Sequence, residues 1–96
     1  MTENLFIKVN VYGNSMYPTL RNTDSVVVCK ANEYVPDQIV VFIYKNEGYL
    51  IHRILCISKG RFFCKGDNSH RVEIIRKEHI LGKVLFIKRG SQIIQL

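Results

Sequence analysis

Nearly every apolar stretch in this chain is short, β-branched or regularly alternating, and that pattern leaves little for it to build except strands. Leu5–Val11 ends in strict alternation, the signature of a half-buried strand. Val26-Val27-Val28-Cys29, within Ser25–Lys30, is a continuous β-branched run of the kind buried on both faces, and Gln38–Tyr44 repeats it. Lys45–Gly48 is a turn into a long strand, Tyr49–Ser58. Lys59-Gly60 closes a tight hairpin into Arg61–Lys65, which Gly66-Asp67-Asn68-Ser69 then breaks. A further strand begins near Val72, and Ile80–Lys88 with Ile93-Ile94 supply the last ones. Arg71–His79 has room for a helical turn, and Met16–Leu20 is the one helix-like candidate. The expectation is a mostly β, single compact domain over residues 1–96.

Composition supports that reading and removes several others. At 47% hydrophobic and 23% charged residues, the chain is globular, which excludes collagen, coiled coil and intrinsic disorder. The net charge of +6 suggests an anionic partner, nucleic acid or a membrane surface. No basic run of five residues occurs, which favours a solvated basic face and makes nucleic acid the weaker option. Met1-Thr2-Glu3-Asn4 lacks the positive start of a signal peptide, and Ile39–Tyr44 is about a third of the length a spanning helix needs. Three cysteines, Cys29, Cys56 and Cys64, form no Cys-x-x-Cys pair, so neither a disulfide framework nor a zinc site is expected. Reduced, buried thiols in a cytoplasmic protein are the expectation, although Cys56 and Cys64 can face each other across a hairpin. No metal and no cofactor is called for.

Three small motifs carry reactive side chains. In Gly13-Asn14-Ser15-Met16-Tyr17-Pro18-Thr19-Leu20, a glycine before a serine lets the backbone bend and turn N–H groups toward one spot. His52 lies in Tyr49–Leu55, where alternation sets Leu50, His52, Ile54 and Cys56 on one face and Ile51, Arg53 and Leu55 on the other. Imidazole titrates near neutral pH and suits a general base. Asp67, in Lys65-Gly66-Asp67-Asn68-Ser69, could orient such an imidazole. Taken singly, these are a loop serine, a structural histidine and an ordinary turn. Asp24 and Asp37 read as turn residues ahead of strands.

In chain order the motifs make a stronger case. Residues 13–87 resemble the catalytic core of the signal peptidases and their self-cleaving repressor relatives, the S24/S26-type serine peptidases. Gly13–Leu20 is similar to that family's nucleophile box, Gly-x-Ser-Met-x-Pro-Thr. Asp37–Phe42 resembles its Gly-Asp-Ile-Val-Val-Phe strand, with Asp-Gln replacing Gly-Asp. Ile51–Ile54 resembles the general-base strand, Lys65–Ser69 the Gly-Asp-Asn box and Ile80–Val84 the strand that closes the core. The resemblance implies mixed, coiled β-sheets, Ser15 as nucleophile, His52 as general base and Asp67 as its orienting partner. Most bacterial members use lysine as base, so His52 aligns the chain with the endoplasmic-reticulum and archaeal type. Gly13 stands where many members have an assisting serine, which leaves oxyanion stabilisation to backbone N–H groups near Ser15. Asn14 and Met16 shape the box, Asn68 braces the Asp67 turn, and Arg53 supports the fold behind the site.

The function this implies is a serine endopeptidase that cleaves a leader-type peptide after small residues. Only fourteen residues precede Ser15, and they read as a strand, so a cytoplasmic processing enzyme without a membrane anchor is expected. An apolar substrate groove would still invite peripheral membrane contact. A non-catalytic binding or dimerisation module that keeps the fold is the alternative, given the departures at Gly13 and Asn14.

Overall fold

The computed structural model describes residues 5–96, so the leader question posed by Met1–Asn4 lies outside the described residues. Eight strands follow one another as β1 (Phe6–Asn10), β2 (Ser25–Cys29), β3 (Ile39–Ile43), β4 (Tyr49–Ser58), β5 (Arg61–Lys65), β6 (Val72–Arg76), β7 (Ile80–Arg89) and β8 (Gln92–Gln95). Single 3-10 turns at Lys45–Glu47 and Lys77–His79 precede β4 and β7. Met16–Leu20 forms one turn, closed by Leu20 N–H donating to the Met16 carbonyl at 2.9 Å.

The strands join into one sheet in the order β1-β2-β7-β3-β4-β5-β6. The far edge of β7 is shared, with β3 along Ile80–Lys83 and β8 along Phe86–Arg89. Every ladder is antiparallel, where the resemblance implied mixed sheets. The local hairpins explain part of this, because a two-residue connection such as Lys59-Gly60 can join only antiparallel neighbours. Among the described residues no helix is long and apolar enough to cross a membrane.

The unbroken apolar run of β3 is used on both faces. Ile39 and Val41 join Met16, Leu20, Val26, Val28 and Ile87 in one core. Val40 and Phe42 join Ile54, Phe62, Cys64 and Ile75 in another. Asp37, which stands where the family pattern has glycine, adopts φ 74° ahead of β3. Aspartate is among the few residues that tolerate this left-handed turn.

The simple alternation read along β4 fails at one place. A bulge between Ile54 and Cys56 sets Cys56 opposite Phe63, while Cys64 faces Ile54. The extra residue turns Cys56 to the exposed face, so the two thiols sit on opposite sides of the sheet and all three cysteines are free. Only Cys64 is buried, and burial pushes its thiol up to about 12.

Candidate active site

The Ser15 loop leaves β1 and crosses the ends of β4 and β5. Gly13 enters it with φ 80°, a conformation open to glycine at little cost, and its N–H donates to Asn22 Oδ1 at 2.9 Å. Tyr17 N–H donates to the Asn14 carbonyl, and the Tyr17–Pro18 peptide is cis. Met16 anchors the loop from below: it is buried in the first core, and its sulfur accepts a hydrogen bond from Asp67 N–H. Asn68 holds the other side, its N–H donating to the Ser15 carbonyl at 2.8 Å and its side-chain amide to the Asn14 carbonyl at 3.1 Å. Asn68 therefore braces the serine loop, where the expectation had it bracing the Asp67 turn.

His52 projects from β4 into the second core, with its ring set edge-on to Phe42. Its Nε2 lies 3.0 Å from Ser15 Oγ, and its Nδ1 lies 2.6 Å from Glu73 Oε1. In the neutral imidazole, a hydrogen on Nδ1 facing the carboxylate leaves the Nε2 lone pair to the serine hydroxyl. Glu73 is completely buried, and its second oxygen accepts from Arg71 Nε at 2.9 Å. Arg71 in turn grips Glu47 through both terminal nitrogens and lies over the Tyr44 ring. The chain of contacts therefore runs Ser15–His52–Glu73–Arg71–Glu47.

Asp67 does not occupy the place expected for it. Its carboxylate receives two bonds from Arg53, at 2.9 and 2.8 Å, and one from Thr19 Oγ1 at 2.7 Å. The Arg53 guanidinium holds the Asp67 carboxyl below its ordinary value, with Thr19 adding to the effect. Arg53 also donates to the Asp37 carbonyl, so Arg53 and Asp67 join three loops rather than touch the imidazole. The correction follows from strand direction. Arg53 points to the face opposite His52, and Asp67 goes with it, whereas register places Glu73 on the His52 side through Glu73–Cys64 and Cys64–Ile54.

Sequence reasoning missed Glu73, Arg71 and Gly66. The available signal for the first two was an arginine and a glutamate two residues apart, hence on one face of a strand. Gly66 packs where no side chain fits: a Cβ there would lie 2.5 Å from the Ser15 carbonyl oxygen and 3.0 Å from His52 Nε2.

Beside Ser15 and His52 opens a cleft of about 350 Å³, lined by Val11, Met16, Tyr49, Leu50 and Ile51 with Glu47 at its wall. Among the described residues, Ser15 N–H donates to no backbone carbonyl. The family model for Peptidase S24-like proteins matches residues 2–85. No curated protein matches the chain, and no solved structure does.

Proposed function

The chain belongs to the Peptidase S24-like family, and on that premise we propose that it is a serine endopeptidase with Ser15 as nucleophile, His52 as general base and Glu73 as the group that orients His52. One observation carries the reading: the 3.0 Å contact from Ser15 Oγ to His52 Nε2, continued at 2.6 Å from Nδ1 to a buried carboxylate. A serine hydroxyl is a poor nucleophile until a base takes its proton, and His52 is held rigidly on a strand to do so. As Oγ attacks the scissile carbonyl carbon, the hydroxyl proton moves to Nε2 and the negative charge of Glu73 stabilises the imidazolium. Ser15 N–H donates to the developing oxyanion, replacing the hydroxyl that Gly13 does not supply. The imidazolium then protonates the leaving amine, and water activated by the same histidine releases the acyl group.

The apolar cleft suits an extended apolar segment with small side chains at the cut, as in a leader peptide. A serine-directed phosphonate followed by mass spectrometry tests the site before any substrate is known. Label is expected on Ser15 in the wild type and absent in Ser15→Ala. His52→Ala should slow labelling by about a thousandfold or more. Substrate follows from incubating candidate leader peptides with wild type and Ser15→Ala. Wild-type turnover by Ser15→Ala would sink the mechanism.

A further inference from the structure

The outer face of β4-β5-β6 is a small, uncovered sheet of mixed character. Register sets its side chains in three rows: Arg53–Lys65–Val72, Cys56–Phe63–Ile74 and Ser58–Arg61–Arg76. The middle row is apolar, with Ile74 50% exposed, and Val72 in the Arg53–Lys65 row is 43% exposed. Leu55, pushed outward by the bulge, is 46% exposed beside them. The rows on either side hold cations and no carboxylate.

Arg61 and Arg76 are directly opposite one another, an arrangement that destabilises a ladder unless an anion answers it. Among the described residues, no carboxylate pairs with Arg61, Lys65 or Arg76, and Arg53 alone is engaged, by Asp67. Apolar groups in the centre, with the unpaired cations Arg61 and Arg76 at one margin and Lys65 near the Arg53–Asp67 pair at the other, match an anionic interface that has an apolar interior behind it. Nucleic acid would favour aromatic platforms, and this face carries only Phe63.

We propose that this face docks on an anionic lipid bilayer, with Ile74, Val72 and Leu55 entering the headgroup boundary and Lys65, Arg61 and Arg76 meeting lipid phosphates. His52 and Glu73 project from the opposite side of the same strands, so docking leaves the Ser15 cleft off the membrane plane. The surface is thus distinct from the substrate groove, and it stands whether or not the chain is a peptidase.

Flotation of the full chain with phosphatidylcholine vesicles, with and without about one-third phosphatidylglycerol, tests the proposal at low and high salt. Binding is expected only with the anionic lipid and should weaken as salt screens it. Joint Arg61→Gln and Arg76→Gln should lower partitioning about twenty-five-fold, about fivefold per cation near an anionic leaflet. The same pair should keep or raise the thermal midpoint, because a repulsion is removed, and this separates docking from a folding defect. Ile74→Ser should weaken binding at unchanged charge. Lys30→Gln with Lys88→Gln, exposed cations outside this face, should change little. Equal loss in that control pair, equal binding to neutral vesicles, or binding to a single-stranded oligonucleotide with none to vesicles would each overturn the proposal.

Discussion

Glu73 is a carboxylate with no exposed surface, and its two oxygens are divided between an imidazole and a guanidinium. A buried charge is tolerated only when its partners are in place, so each of these contacts has a defined consequence. Glu73→Gln keeps the shape but offers His52 an amide whose NH2 can face Nδ1 and favour the wrong tautomer. A loss of about a thousand- to ten-thousandfold in kcat is expected, with KM little changed. Asp67→Asn should cost stability and less than about tenfold in activity, because Asp67 meets Arg53 and Thr19 rather than the imidazole. Measuring both variants with one labelling or cleavage assay decides between the two acids. If Asp67→Asn proves the more damaging in kcat, the carboxylate assignment reverses. Ser15 and His52 were candidates in the sequence because their motifs fall in the family's chain order, whereas each local signal alone read as an ordinary loop serine or structural histidine. Glu73 was not, because its place beside His52 depends on the pairing of three strands.

The end of β5 shows how an element positions chemistry without contributing a reactive group. Gly66, the residue that follows β5, packs its Cα against both the Ser15 carbonyl and the His52 ring. Gly66→Ala would place a methyl 2.5 Å from a backbone oxygen that Asn68 already holds, so either the serine loop or the histidine must move. A displacement of about 1 Å is enough to cost about a hundredfold in rate. The variant is therefore expected to label slowly at Ser15 while remaining folded by circular dichroism. Labelling at the wild-type rate would mean that the loop adjusts freely. The strands themselves were readable from alternation and β-branching, and the boundaries found lie close to those patterns. Pairing was less readable. The bulge at Leu55–Cys56 has no sequence mark, yet it decides which face Cys56 joins and where the exposed apolar row lies. Asp37 was read as a turn residue, and its positive φ agrees. Asp24 was read the same way and does close a turn with Arg21 just before β2, but it is also a buried partner of Arg89, a contact across most of the chain that local pattern cannot reveal.

Across the whole molecule, two aspartate–arginine pairs join Met16 and Asn68 in fastening the serine loop to the sheet. Asp24 receives two bonds from Arg89, which also donates to the Thr19 carbonyl, and Asp67 receives two from Arg53. Burial pushes the Asp24 carboxyl upward, but its bonds to Arg89 and to the Arg21 backbone outweigh this and hold it below 3.8. Arg53 holds Asp67 below the same value. A carboxyl depressed in the folded state binds its proton more tightly when unfolded, so folding gains from its ionisation. That gain is complete above the unfolded value near 3.8 and disappears as pH falls through the lower folded values. Denaturant unfolding at a series of pH values should therefore show stability falling through that acid window. Asp24→Asn with Asp67→Asn should be less stable at neutral pH yet lose less on acidification, so that the two curves converge at low pH. The mostly exposed Arg71–Glu47 pair should contribute little, because solvent screens it. Since both aspartates act on the loop that carries Ser15, labelling at Ser15 should fall with stability in the double variant while His52 and Glu73 keep their contact. An acid limb identical to that of the wild type would show that the acid loss of stability does not come from Asp24 and Asp67.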